Sequence, residues 1–284
     1  MVAAVQRRHF QFAAALAAAT PLLVQARDAW TPVERASGGR LGVAVLHPDG
    51  RVDGHRADER FPMCSTFKWL AAAYVLSRVD RGEERLDRRI PFGADALRAH
   101  SPVTSLHVGA GMTLAELCHA TVTVSDNAAG NLILASFGGP EGLTRYARSL
   151  GDTVTRLDRW EPELNEARPG DPRDTTTPRA MARLLHAHLL GNALSPAGRA
   201  QLAGWLEASK TNGQRLRADL PAGWRMGSKT GTGAQGTTND VGIFWPPGRP
   251  PVVVAAYLTA SKANEAARNG AIAQVARHVT SAPG

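Results

Sequence analysis

The 284-residue chain is 43% hydrophobic and 20% charged, which is typical of a folded globular protein and too apolar for a disordered one. No apolar run reaches the roughly 18 uncharged residues of a spanning helix, which excludes a polytopic membrane protein, and two cysteines cannot form a disulfide scaffold. The formal net charge of +8 by itself indicates a polyanion partner such as nucleic acid. Only four of the cations are lysines, at positions 68, 210, 229 and 262.

Residues 1–26 are predicted to be a cleavable export signal. Arg7 and Arg8 precede an alanine-rich apolar stretch, and Val24, Gln25 and Ala26 have the small or modest side chains that suit a signal peptidase. The arginine doublet favours a twin-arginine signal, with an ordinary secretory signal as the alternative. Cleavage removes two positive charges and so lowers the net charge from +8 to +6. We therefore expect the mature protein to begin near residue 27 and to be periplasmic or secreted.

The remaining chain has strand patterns at both ends and helical patterns between them. Residues 41–46 and 51–52 are predicted to form a hairpin around a tight Asp-Gly turn. Helical spacing is found at 65–78, 114–150 and 178–206, and further strands at 224–228, 240–245 and 252–259 precede a last helix at 263–279. The order predicts an α+β fold with two lobes. Residues 27–63 and 208–284 are expected to form an antiparallel sheet lobe with flanking helices, and 64–207 an inserted all-α lobe. The cleft between lobes is the expected small-molecule site.

Three short motifs supply the side chains that nucleophilic catalysis requires. In S-x-x-K at 65–68, helical spacing places the serine hydroxyl beside an ammonium that can accept its proton when desolvated. S-D-N occurs at 125–127, and K-T-G at 229–231, where glycine lets a ligand approach the backbone. Each motif alone also fits a solvated helix, a helix cap or a strand end. Two of the four lysines occur in these motifs, and an ammonium, unlike a guanidinium, can lose its proton when desolvated.

In this order, the motifs resemble the signature of the class A serine β-lactamases. Residues 159–165 (RWEPELN) and 173–178 (RDTTTP) match the Ω-loop of that family, which we assign to 159–174. The resemblance extends from about residue 41 to the C-terminus and is closest to the chromosomal penicillinases of proteobacteria. It implies the β-lactamase/transpeptidase fold. It also implies hydrolysis of the β-lactam amide bond of penicillins and cephalosporins through a serine acyl-enzyme, giving antibiotic resistance, with no metal or cofactor.

The resemblance also assigns catalytic roles. Ser65 is expected to attack the lactam carbonyl, with the backbone N–H groups of Ser65 and Thr232 forming the oxyanion hole. Either Lys68 or Glu161, acting through a water, is the acylation base. Glu161, with a water held by Asn165, is expected to hydrolyse the acyl-enzyme.

Further residues are assigned to proton transfer, substrate binding and loop structure. Ser125 is expected to pass a proton to the lactam nitrogen, and Arg159 and Asp174 to form the ion pair that closes the neck of the Ω-loop. The Glu161–Pro162 bond is expected to be cis, as in relatives. The substrate contacts implied by the resemblance are Asn127, Lys229, Thr230 and Gly231.

The chain departs from the family pattern at several positions. Residues 237–239 lack the arginine that many members use for the substrate carboxylate, and Arg215 matches the substitute arginine of other members. His100 occupies the rim position where relatives have an aromatic residue, and it can stack on substrate. Cys64 and Cys118 lack the partners that relatives provide, so two free buried thiols are expected.

Three other functions fit parts of the sequence. A penicillin-sensitive D,D-peptidase shares the serine-site motifs but lacks the Glu161–Asn165 loop and deacylates slowly. A β-lactam sensor normally requires a membrane-spanning segment. The third alternative, a polyanion-binding protein, is supported only by the net positive charge. We expect a monomer that binds small β-lactam substrates, with no nucleic acid partner and no stable membrane association.

Overall fold

The computed structural model describes residues 20–281, and side chains from residue 29 onward. The helices are α1 (Thr20–Ser37), α2 (Phe67–Asp80), α3 (Leu114–Thr123), α4 (Asn127–Ala135), α5 (Gly139–Ser149), α6 (Pro178–Leu189), α7 (Pro196–Glu207) and α8 (Glu265–Ser281). The strands are β1 (Arg40–Leu46), β2 (Val52–His55), β3 (Phe61–Pro62), β4 (Arg89–Ile90), β5 (Met112–Thr113), β6 (Thr175–Thr176), β7 (Arg225–Gly233), β8 (Thr237–Trp245) and β9 (Val252–Thr259).

The main sheet has five antiparallel strands in the order β2-β1-β9-β8-β7. Its three central strands, β1, β9 and β8, are buried along almost their whole length because helices cover both faces of the sheet. On one face α1 and α8 enclose a core that contains Trp30 and Ile272. On the other face lies the larger core of the helical region, which contains Trp69 and Phe67. This arrangement confirms the predicted α+β fold, with strands from both chain ends and the helical region inserted between them.

Helix α2 positions the S-x-x-K motif. Its residues from Phe67 to Ser77 are almost all buried, so it runs through the centre of the helical region rather than along its surface. A 3₁₀ turn at Cys64–Thr66 precedes it. Ser65, where the predicted helix 65–78 begins, therefore lies in that turn, and α2 itself begins at Phe67. The nucleophile candidate is thereby held at the boundary between the sheet and the helices.

Several predicted elements differ from the observed ones. The segment 178–206 is divided into α6 and α7, with residues 190–195 between them. The segment 114–150 is divided into α3, α4 and α5, because Ser125 and Gly138 have positive φ angles of 63° and 88° that no α-helix accommodates. The predicted strand 224–228 extends as β7 to Gly233, because β8 pairs with it along its whole length. The K-T-G motif consequently lies within the strand and not after its end.

Both cysteines are free and buried, as expected. Burial raises the pKa of both thiols, so they pack as small apolar groups. Cys64 packs close to the last residue of β7, since a Cβ at Gly233 would lie 2.5 Å from Cys64 Sγ. Glycine is therefore required for the strand to approach the nucleophile turn.

The predicted export signal lies mostly outside the described residues. Its first 19 residues are not described, and its last residues belong to α1, which begins at Thr20. The lobe boundaries at residues 63 and 207 also remain predictions. No helix in the described part, residues 20–281, is long and apolar enough to cross a membrane.

A buried histidine is expected to make stability depend on pH. His188 is fully buried between Trp69 and Tyr146; its Nε2 lies 2.7 Å from Tyr146 Oη and its Nδ1 2.7 Å from the Leu184 carbonyl oxygen. Burial lowers its pKa from 6.5 to about 4. Between pH 6.5 and about 4, His188 is protonated in the unfolded chain but neutral in the folded protein. The free energy of unfolding therefore falls as the pH drops through this range, by roughly 3 kcal/mol at pH 4.

Urea unfolding at pH 7.5 and pH 4.5 measures this effect. We expect His188→Gln, which cannot gain the proton, to show a smaller loss of unfolding free energy between the two pH values than the parent protein. Equal losses in the two proteins would assign the pH dependence to other groups.

Candidate active site

Ser65 lies where the 3₁₀ turn meets the edge strand of the main sheet. It is 9% exposed, and the residue before it, Cys64, has a φ of +46°. Strand β7 passes close by: a Cβ at Gly231 would lie 2.7 Å from the Met63 carbonyl oxygen. Because β7 has no further strand on its outer side, backbone groups of this strand are available to a ligand beside Ser65.

A buried carboxylate contacts both members of the S-x-x-K motif. Ser65 Oγ donates a hydrogen bond of 3.2 Å to Glu161 Oε1, and Lys68 Nζ lies 3.0 Å from the same oxygen. The other oxygen, Oε2, accepts a 2.5 Å hydrogen bond from Asn165 Nδ2. The side chains of Lys68 and Glu161 are fully buried. The structure thus brings the nucleophile and both candidate bases together.

The Lys68 ammonium is held by four oxygens. Besides Glu161, it donates to the Ser125 carbonyl oxygen at 2.8 Å, to Ser125 Oγ at 3.3 Å and to Asn127 Oδ1 at 2.5 Å. Burial lowers the pKa of Lys68, and the nearby Glu161 charge opposes this change. A lysine in this setting gives up its proton more readily than one in water, as a base for Ser65 requires.

Ser125 lies between the two lysines of the motifs. Its hydroxyl oxygen accepts hydrogen bonds from Lys68 Nζ at 3.3 Å and from Lys229 Nζ at 3.1 Å. These two donors occupy the oxygen lone pairs, so the hydroxyl hydrogen is free to be donated to a ligand. Burial, and then the charge of Lys68, hold the pKa of Lys229 well below its ordinary value.

Arg159 and Asp174 close the neck of the Ω-loop. Arg159 Nε donates to Asp174 Oδ2 at 2.6 Å, and Asp174 Oδ1 accepts from the backbone N–H groups of Asp158 and Arg159 at 2.8 and 2.9 Å. Asp174 is 1% exposed, so these donors, rather than water, stabilise its negative charge. A second carboxylate, Glu166, contacts Arg159 from the exposed side at 2.5 Å.

We expect Asp174→Asn to lower the free energy of unfolding by about 3 kcal/mol, because the change removes the buried partner of Arg159 and leaves it only the more exposed Glu166. Glu166→Gln removes the more exposed partner of the same arginine and is expected to cost less than about 1 kcal/mol. Chemical denaturation of both variants measures the difference. Equal losses would show that the Arg159–Asp174 pair is no stronger than a surface contact.

Sequence reasoning missed Asn131, which holds the peptide of Glu161. Asn131 Oδ1 accepts from the Glu161 N–H at 3.0 Å, and its Nδ2 donates to the Glu161 carbonyl oxygen at 2.9 Å. The Glu161–Pro162 bond is cis, as expected. Asn131 lies one helical turn after Asn127 on α4, a spacing that could have indicated a second inward-facing amide.

Asp126, the middle residue of S-D-N, has a structural role. It is fully buried and caps α4 by accepting from the Ala129 N–H at 2.9 Å. Its carboxylate also accepts from the backbone N–H groups of Val103 and Thr104, both at 2.9 Å. It therefore fixes the loop that carries the predicted rim residue His100.

The predicted substrate contacts surround this centre. Asn127 Nδ2 donates to the Ala99 carbonyl oxygen at 2.7 Å, and the Asn127 N–H donates to the His100 carbonyl oxygen at 2.9 Å. Thr230 Oγ1 lies 2.6 Å from Thr211 Oγ1, a hydroxyl that sequence reasoning missed. His100 is exposed and has a φ of +62°.

Arg215 lies behind β7 and is 6% exposed. Its Nη1 donates to the carbonyl oxygens of Gly231 and Asn239 at 3.0 and 2.9 Å, and its Nη2 donates to Thr232 Oγ1 at 2.8 Å. Its Nε donates to Asn269 Oδ1 at 2.8 Å. The guanidinium therefore reaches the cleft at Thr232, where it fixes a hydroxyl and supplies positive charge.

A serine hydroxyl bonded to a buried carboxylate, beside two desolvated lysines and an edge strand, defines a serine hydrolase that works through an acyl-enzyme. The model of the family described as "Beta-lactamase enzyme family" matches residues 25–282. The chain therefore belongs to the β-lactamase enzyme family, in its class A of serine enzymes. It hydrolyses β-lactams through a serine acyl-enzyme and so gives antibiotic resistance.

Two curated relatives and two solved structures illustrate the similarity. The β-lactamase OXY-2 of Klebsiella oxytoca is 46% identical over 94% of this chain and 96% of its own. A β-lactamase of Streptomyces albus G is 50% identical over 86% and 80%. An ancestral class A β-lactamase structure is 62% identical with a TM-score of 0.89, covering 90% of this chain and 99% of its own. The putative class A β-lactamase PenP of Rhodopseudomonas palustris is 57% identical with a TM-score of 0.89, covering 90% and 98%.

Proposed function

We propose that Lys68, in its neutral amine form, takes the proton of Ser65 as the hydroxyl attacks the lactam carbonyl. This proposal is supported by the burial of the amino group, which lowers its pKa, and by its contact with the carboxylate that Ser65 also contacts. Oxygen attack forms the ester bond of the acyl-enzyme, and the ring C–N bond breaks. The backbone N–H groups of Ser65 and Thr232 stabilise the negative charge on the carbonyl oxygen during this step.

Ser125 then donates its hydroxyl proton to the lactam nitrogen and regains a proton from Lys68. The two ammonium donors on its oxygen support this role, because they leave the hydroxyl hydrogen free for the nitrogen. Lys229 stabilises the negative charge that develops on Ser125 during the transfer.

Glu161 completes turnover by activating water. A water held by the Glu161 carboxylate and Asn165 loses a proton to Glu161 and attacks the ester carbonyl, and Ser65 is released with its hydrogen restored. The observation that carries this proposal is the 3.2 Å contact between Ser65 Oγ and Glu161 Oε1, which puts a carboxylate within reach of the ester.

The substrates we propose are penicillins and cephalosporins. Their carboxylate would be received by Lys229, Thr230 and Gly231, supported by the positive charge of Arg215. Asn127 would bind the acylamino side chain by exchanging its bond to the Ala99 carbonyl oxygen, and His100 would contact the same side chain at the rim.

Turnover of nitrocefin and benzylpenicillin by the purified protein, with and without a chelator, tests the function. We expect catalytic hydrolysis that a chelator leaves unchanged. One acyl adduct per chain without turnover would instead support a D,D-peptidase or a sensor.

Arg215→Ala is expected to raise the KM for penicillins about tenfold or more while lowering kcat less, because a charge-assisted contribution to carboxylate binding is worth about 1.5–3 kcal/mol. Arg217→Ala is the matched control, since Arg217 in the same turn donates to the Glu207 and Met226 carbonyl oxygens. Unchanged kinetics in Arg215→Ala would remove this residue from substrate binding.

We also propose that the enzyme works as a monomer in the periplasm or outside the cell, without stable membrane association and without a nucleic acid partner. The predicted export signal supports this location. Cell fractionation of the parent and of a variant with both Arg7 and Arg8 replaced by lysine tests it. Retention of the variant in the cytoplasm is the expected result for a twin-arginine signal.

A further inference from the structure

Asp240 is a buried carboxylate to which the mechanism above gives no role. It lies on β8 directly opposite Thr230 of the K-T-G motif, and it is fully buried. Its Oδ2 accepts a hydrogen bond of 3.1 Å from the Leu216 N–H, and its Oδ1 has no hydrogen-bond partner among the described residues. One hydrogen bond does not replace the hydration of a carboxylate, so the negative charge of Asp240 requires cations nearby.

Two buried cations of the cleft, Arg215 and Lys229, have no carboxylate in direct contact within the described part of the chain. Arg215 donates to carbonyl, amide and hydroxyl oxygens. Lys229 Nζ donates to Ser125 Oγ at 3.1 Å and to the Thr230 carbonyl oxygen at 2.8 Å. Both cations interact with the charge of Asp240. This part of the cleft therefore contains two cations and one carboxylate, an excess of positive charge that the carboxylate of a substrate balances.

The charge of Asp240 acts on Lys229 against several other influences. Burial, and then the charge of Lys68, lower the pKa of Lys229, and Asp240 is the strongest influence that opposes them. Burial raises the pKa of Asp240 itself to about 6, so this carboxylate is charged at neutral pH. Other titratable or charged groups that face Asp240, Lys229 or Arg215 come from neighbouring elements: Tyr257 of β9, Cys64, Glu161 of the Ω-loop, and Glu265 and Arg268 of α8.

We propose that Asp240 is a positioning residue that acts through Lys229, because its buried negative charge keeps the ammonium protonated at the pH of catalysis. This inference rests on the proposed function, in which a charged Lys229 receives the substrate carboxylate and stabilises Ser125 during proton transfer. A neutral amine at position 229 does neither.

Asp240→Asn tests the proposal, because asparagine has the same shape and still accepts from the Leu216 N–H but carries no charge. We expect kcat/KM for benzylpenicillin to fall on the alkaline side about one pH unit earlier than in the parent, which is about a tenfold loss there. At pH 5 the two proteins should agree within about twofold, since Asp240 is then protonated in the parent as well. Equal losses at pH 5 and pH 9 would assign Asp240 a purely structural role and overturn the proposal.

The charge of Lys229 can also be measured without catalysis. Lysine labelled with ¹³C at Cε gives NMR signals from only four residues of this chain, and Lys229→Arg identifies the signal of Lys229 by its loss. We expect the titration midpoint of this signal to fall by about one pH unit in Asp240→Asn. An unchanged midpoint would overturn the proposal. A lower midpoint with unchanged kinetics would support the coupling of Asp240 to Lys229 and contradict the proposed role of Lys229 in the reaction.

Glu265→Gln is the matched control. It removes one negative charge from an exposed residue of α8 that acts on Arg215, and it should move neither the Lys229 midpoint nor the pH profile. Equal shifts in Glu265→Gln and Asp240→Asn would reduce the effect to overall charge and overturn the proposal.

Lys229→Arg provides a second background, because a guanidinium keeps its charge throughout this pH range. Adding Asp240→Asn to Lys229→Arg should leave the alkaline side of the profile where it is. A shift there would show that Asp240 acts through another group and would contradict the proposal. Asp240→Ser, which is smaller and also neutral, replaces Asp240→Asn if that variant does not fold, and the same shifts are expected from it.

Discussion

Glu161→Ala is expected to trap the acyl-enzyme on Ser65, with deacylation slowed by about 10³-fold. The variant removes the carboxylate that contacts both Ser65 Oγ and Asn165 Nδ2, and with it the group that can deprotonate an attacking water. Acylation is expected to continue, because loss of the Glu161 charge removes an influence that raises the pKa of Lys68. A more easily deprotonated Lys68 remains a base for Ser65.

Mass spectrometry after mixing with benzylpenicillin measures the adduct, and single-turnover kinetics measure its formation and decay. Glu163→Ala is the control, since Glu163 is an exposed acid of the same loop. It should deacylate at the parent rate. Loss of activity in Glu161→Ala without any adduct would assign Glu161 to acylation instead.

The sequence predicts the terminal strands and the class of fold because local patterns decide both. Residues 41–46 form a strand that is buried on both faces, and its apolar run is visible without tertiary information. The division of 114–150 into three helices is different. The φ of +63° at Ser125 is held by hydrogen bonds to Lys68 and Lys229, residues 57 and 104 positions away. The hydrophobic pattern of residues 114–150 holds no information about these distant lysines, so it cannot predict where the helix is interrupted.

The same distinction applies to the active site. The residues in motifs, such as Ser65, Lys68 and Lys229, could be named from the sequence because their types and spacing are diagnostic. Asn131 was missed because a single amide on a helix carries no chemical pattern, although it bonds to both backbone groups of Glu161. The burial of Arg215 could not be predicted either, since it depends on carbonyl oxygens of β7 and β8 and on Asn269.

The second large effect is expected from Lys68→Met, which keeps an unbranched side chain one atom shorter than lysine and removes its charge. Acylation should fall by about 10³-fold or more, because Ser65 loses its base and the buried carboxylate of Glu161 loses its cation. No adduct should accumulate, in contrast to Glu161→Ala. Stopped-flow measurement of acylation with nitrocefin checks this result, and Lys262→Met, at an exposed lysine, should react at the parent rate.

Rapid acylation of Lys68→Met would identify Glu161, acting through a water, as the base for that step. The double variant Lys68→Met/Glu161→Ala distinguishes the two mechanisms further. If Lys68 alone is the acylation base, the double variant acylates as slowly as Lys68→Met, because Glu161 contributes only to the later step. If Glu161 also acts as the base when Lys68 is absent, the double variant is slower than either single variant. The buried carboxylate and ammonium would then be alternative routes for the same proton.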